Sequence, residues 1–199
     1  MRDRRRKAFW VVDDFEEEIA AYCGAPAAVA VDSCTNALML ALAYSRQCAP
    51  RRCPDCGQEH PFLSFGRLKI PVRTYVGVWQ AARLAGWSVE LVNLEWLGDG
   101  LPGEYRLQPT RVVDAARALR RDCYEPGTLR CISFHAAKQF PLGRGGAILV
   151  DDPDCEAWLR RARMDGRAQG EHDVPLQVPG WHCFMPPPTA ALGLWSLPS

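Results

Sequence analysis

CISFHAAKQFPLGRGG, residues 131–146, sets a single lysine, Lys138, between a short apolar run and a glycine-rich turn. Cys131-Ile132-Ser133-Phe134 reads as the end of a buried strand and Ala147-Ile148-Leu149-Val150 as the next one. Between them, Gly143-Arg144-Gly145-Gly146 reads as a turn that needs positive φ or close backbone approach. A lysine held there is expected to be partly desolvated, and desolvation favours the neutral amine that condenses with an aldehyde. The chain has only three lysines (Lys7, Lys69, Lys138) against twenty-one arginines, so ordinary surface charge falls mostly to arginine. From this segment alone, Lys138 is either a covalent cofactor lysine or a loop lysine that solvates a turn.

Ser133-Phe134-His135-Ala136-Ala137-Lys138 followed by Gly143-x-Gly145-Gly146 resembles the cofactor-lysine segment of the DegT/StrS family of PLP-dependent sugar aminotransferases. Four further stretches agree in order. FEEEIAAYCG (15–24) with AVAVDSCTNAL (28–38) is similar to that family's opening helix, strand and phosphate turn. IPVRTYV (70–76) is similar to its next strand and turn, VVDAA (112–116) to its Asp-Ala-Ala motif, and GWHCFM (180–185) with AALGL (190–194) to a segment near the end of its large domain. The resemblance implies the type I aspartate-aminotransferase fold: an α/β domain, mostly parallel in its sheet, with helices on both faces.

Composition is compatible with such a domain. The chain has 199 residues, 48% of them apolar, and a formal charge of +1, so no strong field calls for nucleic acid or an anionic membrane. The basic arm at residues 1–7 reads as a solvated tail, the sharper alternative being a phosphate-binding arm. No transmembrane stretch or signal-peptide core is visible. Nine cysteines, an odd number, in buried-looking strands or in Cys-x-x-Cys point to a reducing cytoplasm rather than a disulfide framework.

Along the chain, residues 13–22 are expected to form an amphipathic helix stopped by Gly24, and residues 27–31 a strand. The turn through Asp32-Ser33-Cys34-Thr35 then opens a helix from Asn36 to about Arg46. A strand, a small-residue turn and a helix N-terminus make an anion site, although Ser33 and Thr35 serve equally as N-caps. Residues 68–72 and 87–94 read as strands flanking a helix at 76–85. Residues 96–110 read as a loop where the resembling family has a further βα unit. Residues 153–165 read as a helix with Trp158, Leu159 and Ala162 inward and Arg160, Arg161 and Arg163 outward. From Gly166 onward the proline-rich chain reads as irregular. The whole is expected to be one large domain over residues 1–199, without the family's smaller C-terminal domain.

Residues 48–66 have no counterpart in the resemblance. Cys53-Pro54-Asp55-Cys56-Gly57 is a zinc-knuckle turn, with two thiolates spaced to meet one tetrahedral ion, and Cys48 and His60 complete a ligand set for structural zinc. Free thiols or a redox pair are the alternative.

What the resemblance implies for the site can be assigned residue by residue. Lys138 forms a Schiff base with pyridoxal 5'-phosphate and shuttles protons. Asp114, at the end of its strand, keeps the pyridine nitrogen protonated, unless it only caps the following turn. Tyr75 stacks on the ring, unless it is plain core; Ser33, Cys34, Thr35 and Ser133 hold the phosphate. His135 reads as a satisfied, half-buried histidine.

Four positions depart from the family pattern, one of them Phe184, which stands where the family has an arginine. Cys34 replaces a glycine and keeps the backbone further from a phosphate. Arg117 replaces a polar amide and faces the cofactor's phenolate oxygen or a substrate carboxylate. His182 replaces an asparagine that in the family reaches the phosphate across a dimer interface, so His182 is a replacement ligand from a second subunit and the protein is expected to be a homodimer. Lysine at 138, rather than the histidine of the family's sugar dehydratases, favours amino transfer on a nucleotide-linked substrate. Two alternatives stand beside it: a decarboxylase or related enzyme acting on an amino-acid-modified nucleobase in DNA, and a non-catalytic, zinc-stabilised binding module.

Overall fold

The computed structural model describes residues 9–48, 67–93, 103–171 and 173–197. The chain runs α1 (Trp10–Cys23), β1 (Ala27–Val31), α2 (Cys34–Cys48), β2 (Leu68–Pro71), α3 (Val76–Leu84), β3 (Val89–Val92), β4 (Tyr105–Arg106), β5 (Val112–Asp114), β6 (Leu129–Ser133), β7 (Gly146–Val150), α4 (Pro153–Ala162) and α5 (Pro187–Ser196). Five strands form one sheet in the order β1-β7-β6-β5-β4, and β2 and β3 form a parallel pair beside it. The backbone N–H of Lys69 in β2 donates to the Gln108 carbonyl, tying the pair to the segment that follows β4.

The sheet is mixed, which corrects the expectation of a mostly parallel one. Only β5 and β6 pair in parallel within it; β1 with β7, β7 with β6, and β4 with β5 are antiparallel. The reason is local. No helix lies between β6 and β7, and without a crossover the chain folds back beside the strand it has just left. Because β1 and β6 both run antiparallel to β7, strands β1, β5 and β6 share one direction, and their carboxyl ends meet the start of β7 at one edge.

Helices cover both faces, as expected. Alternating side chains divide each strand between two cores: Val29, Val31, Ile148, Val150, Leu129 and Cys131 join α2 and α4 on one side, while Ala28, Ala30, Ala147, Leu149 and Ile132 meet Phe15 and Ile19 of α1 on the other. Strands buried on both faces read as continuous apolar runs, and β1 and β7 do.

Three elements differ from expectation. Residues 103–110 contain the short strand β4, paired to β5 with Tyr105 opposite Asp114. The proline-rich end is partly helical: Pro186 is the N-cap of α5 and prolines open its first turn, where their fixed φ suits a helix and no N–H is needed. α5 then packs on α1, with Gly193 against the Phe15 ring. Finally, the arginines of α4 do not all face outward. Arg163 is buried, and it and Arg160 donate to the Glu16 carboxylate, which also accepts the Ala30 N–H at 2.7 Å. This buried carboxylate joins α1, β1 and α4.

Cys53, Cys56 and His60 lie outside the described residues, and Cys48 is placed only as the last residue of α2. Among the described residues, no group of three or more His, Cys, Asp or Glu is arranged to hold a metal, and no helix is long and apolar enough to cross a membrane. Cys23, Cys34, Cys123, Cys131, Cys155 and Cys183 are free thiols.

Candidate functional site

The edge where β1, β5 and β6 end carries a cleft of about 510 Å³, and the polar residues picked out in the sequence line it: Ser33, Thr35, Asp114, Arg117, Ser133 and Lys138, with Tyr75 and Cys34. Open α/β sheets place ligands outside the carboxyl ends of their strands for a topological reason, since loops diverge there. In this fold the register fixes the geometry. Gly146 is opposite both Val31 and Ser133, and Asp114 is opposite Cys131.

The helix α2 begins immediately after the turn at Ser33. Ser33 Oγ accepts the Asn36 N–H at 3.2 Å, so the cap reading of Ser33 is realised, while the N-terminal amides and the helix dipole still offer an anion site. The close approach that this turn needs is supplied from the other strand. A Cβ on Gly146 would lie 2.6 Å from the Cys34 amide nitrogen, and Gly145, at φ 132°, forms a bridge with Ser33. Cys34, where the resembling family has glycine, opens the helix at this turn. Its side chain is buried, and burial, with Asp114 and Cys131 nearby, pushes its thiol well up from the ordinary range.

Asp32, beside this turn, would repel an anion if left bare. Its carboxylate accepts Asn36 Nδ2 at 2.6 Å and Arg144 Nη2 at 2.7 Å, and Arg144 Nε donates to the Asp32 carbonyl at 3.1 Å. Arg144 of the glycine-rich turn therefore spans the loop to β7 and the loop after β1.

At the floor of the cleft, Asp114 is only 6% exposed. Burial raises its pKa; the hydroxyl of Tyr105, the N–H of Ala116 and the charge of Lys138 oppose that rise. Tyr105 donates to Oδ2 at 2.7 Å and the Ala116 N–H donates to Oδ1 at 3.0 Å. The turn-capping reading of Asp114 is thus met by one oxygen only. Lys138 is half-buried on the loop 134–145, which is rooted by buried Phe134, Phe140 and Leu142 and closed by the N–H of Lys138 donating to the His135 carbonyl at 2.9 Å.

Tyr75 is 72% exposed at the mouth rather than in the core. His135 also lines the cleft and is exposed, not half-buried, its Nδ1 accepting the Ala137 N–H at 3.2 Å. Arg117 is exposed, its carbonyl held by the Gln139 amide. His182 does not line its own chain's cleft. It is exposed on the segment before α5, with Nδ1 2.9 Å from the Asp165 carboxylate and its ring edge against Phe184.

The sequence reading missed Tyr105, Arg144 and Asp32. The signal for Tyr105 was the alternation Glu104-Tyr105-Arg106, a strand pattern with the aromatic residue facing inward. For Arg144 there was none, because its partner lies 112 positions away.

The residues present suit pyridoxal phosphate. A glycine-lined helix N-terminus with three hydroxyls fits the phosphate, a buried carboxylate with no ion-pair partner among the described residues fits a protonated ring nitrogen, and a half-buried lysine stands at the same cleft.

A family model described as the DegT/DnrJ/EryC1/StrS aminotransferase family matches residues 9–50 and 112–199. Among solved structures, the fold is similar to DesV of S. venezuelae (22% identity, TM-score 0.67, 94% of this chain and 56% of that one). It is also similar to AtS13 from Actinomadura melliaura (18%, 0.72, 94% and 59%) and to Helicobacter pylori PseC, an aminotransferase involved in the biosynthesis of pseudoaminic acid (16%, 0.70, 94% and 57%). At these identities the likeness concerns the fold, and the chain spans less than two thirds of the length of these neighbours. No curated protein sequence matches the chain.

Proposed function

Because the chain belongs to the DegT/DnrJ/EryC1/StrS aminotransferase family, we propose that it binds pyridoxal 5'-phosphate in the cleft at the end of β1, β5 and β6 and serves amino transfer on a nucleotide-linked sugar. The observation that carries this is convergence: Lys138, Asp114 and the N-terminus of α2 come from three distant parts of the chain and line one cleft. When bound, pyridoxal phosphate supplies an aldehyde that condenses with amines and a ring that takes up the electron pair released at the neighbouring carbon.

The chain's own residues do the rest. Amides of the first turn of α2, with Ser33, Thr35 and Ser133, hold the phosphate. Asp114, at the floor of the cleft, would keep the ring nitrogen protonated. Tyr75, at the mouth, would cover the ring and exclude water. Lys138, the amine at the cleft, would anchor the group and serve as the general base and acid that moves a proton during the transfer. Arg117, at the rim, takes an anionic group of the substrate.

In this reading the protein is a homodimer. His182, its ring oriented by Asp165, presents Nε2 to the partner's phosphate site. Residues 48–66 hold one structural zinc through Cys48, Cys53, Cys56 and His60, so protein purified without chelator is expected to contain about one zinc per chain, and metal-free protein of unchanged stability would sink the idea.

The test of the cofactor is an absorbance titration with pyridoxal phosphate. Wild type is expected to develop a visible band that Lys138→Ala lacks. No band in wild type under any condition would leave the non-catalytic binding module as the surviving account.

A further inference from the structure

The buried hydroxyl beside Asp114 is absorbed by neither the sequence motifs nor the reaction. Tyr105 is 2% exposed, sits opposite Asp114 in the β4–β5 register, and donates to Asp114 Oδ2 at 2.7 Å. Thr74, from the turn before α3, is hydrogen-bonded to the same Tyr105 oxygen. Direction follows from counting protons. Tyr105 has one, which goes to the carboxylate, the stronger acceptor, so Thr74 must donate to Tyr105. Burial and the Asp114 charge both raise the Tyr105 pKa, so the hydroxyl stays a donor at every working pH.

The strand carrying Tyr105 is itself pinned on its other face. Glu104 pairs with buried Arg130 of β6, and Arg106 with Glu125 at 3.2 Å. Gly103, just before, has its backbone against Arg117, where a Cβ would lie 2.8 Å from the Arg117 carbonyl oxygen. A two-residue strand alone would hold little; these three contacts make it a brace behind the cleft.

We propose that Tyr105, backed by Thr74, is the positioning residue of this site: it fixes the Asp114 carboxylate in one orientation and favours its charged form, so that the carboxylate is ready for a protonated ring nitrogen. The inference rests on the cofactor reading above for its use, but not for its test. A charge-assisted hydrogen bond to a buried carboxylate stabilises the ion over the acid. Removing the hydroxyl while keeping the ring leaves the packing in place and takes away that preference.

The first arm needs no cofactor. In protein free of pyridoxal phosphate and labelled at its aspartate carboxyl carbons, the Asp114 resonance, identified by its loss in Asp114→Asn, is expected to titrate at higher pH in Tyr105→Phe than in wild type. Thr74→Val is expected to shift it in the same direction and less. The second arm is the titration with pyridoxal phosphate: Tyr105→Phe is expected to bind about five- to tenfold more weakly near neutral pH. In an Asp114→Asn background the same change is expected to cost no more than about twofold, because the two residues act as one unit. An Asp114 titration unchanged in both Tyr105→Phe and Thr74→Val overturns the proposal, as does an equal loss of cofactor affinity with and without Asp114. A shifted titration in a protein that takes up no pyridoxal phosphate upholds the role of Tyr105 and defeats the cofactor reading instead.

Discussion

Asp114 shows how a residue can be placed against the interest of stability. Its carboxyl is buried, and burial raises its pKa despite two hydrogen bonds and the charge of Lys138. A folded-state pKa above the unfolded one means that the protonated form favours folding. That contribution is complete below about pH 4, and it is lost as the pH rises through the raised value. Asp114→Asn keeps the shape and removes the charge; its amide can donate to Tyr105 while its oxygen accepts the Ala116 N–H. The cofactor-free variant is therefore expected to be more stable than wild type at pH 8, with the difference closing as the pH falls towards 4. Thermal or urea melts across that range check it, and a variant less stable than wild type at pH 8 would show that the charge is fully compensated in the empty cleft. At this scale much of the site was legible. Asp114 and Ser133 are polar residues at the ends of apolar strands, and Lys138 is a rare lysine beside a glycine turn. Tyr105 was not, because a tyrosine in a loop-like stretch acquires its role only through the strand that pairs opposite it.

At the scale of elements, legibility followed the range of the forces involved. Helix α2, strands β1, β6 and β7 and helix α4 are determined by local patterns: apolar runs, the Asp152 side chain accepting from Asp154 and Cys155 N–H groups, and a proline in the first turn of α4. All were read with ends displaced by a few residues at most. Helix α5 was read as irregular because its prolines were counted as breakers, whereas at the first turn they act as starters. Strand direction was misread for a different reason. It depends on whether a connection between strands contains a helix, and the resemblance to a doubly covered α/β sheet masked the hairpin-like return from β6 to β7. Charge and helical spacing alone put Arg160, Arg161 and Arg163 on the solvent side, opposite Trp158, Leu159 and Ala162. Arg163 and Arg160 instead meet Glu16, a residue that the sequence places in an acidic helix turn, and only the tertiary fold brings the three together around the Ala30 N–H. A buried carboxylate with two guanidinium partners is costly to break from either side, which fits its place at the junction of three elements that carry no site residue themselves.

At the scale of the whole molecule, one motif residue does not line the cleft of its own chain. His182 is 71% exposed, yet its Nδ1 is engaged by Asp165, a residue held at φ 61° where non-glycine residues are rare. Fixing one ring nitrogen in this way orients the other outward. In a homodimer with each His182 completing the partner's phosphate site, two defective subunits are complementary. A hybrid of Lys138→Ala and His182→Ala chains has one cleft lacking both groups and one cleft lacking neither. Random mixing makes half of all dimers hybrid, so about one quarter of the clefts in an equimolar mixture are expected to be intact. The readout is lysine-linked pyridoxal phosphate retained through gel filtration at a concentration where each variant alone retains little, measured after the two purified variants are dissociated and reassociated together. Retention that stays at the average of the two separate variants would place His182 outside the partner's cleft and return it to a surface role, with Asp165 as its cap.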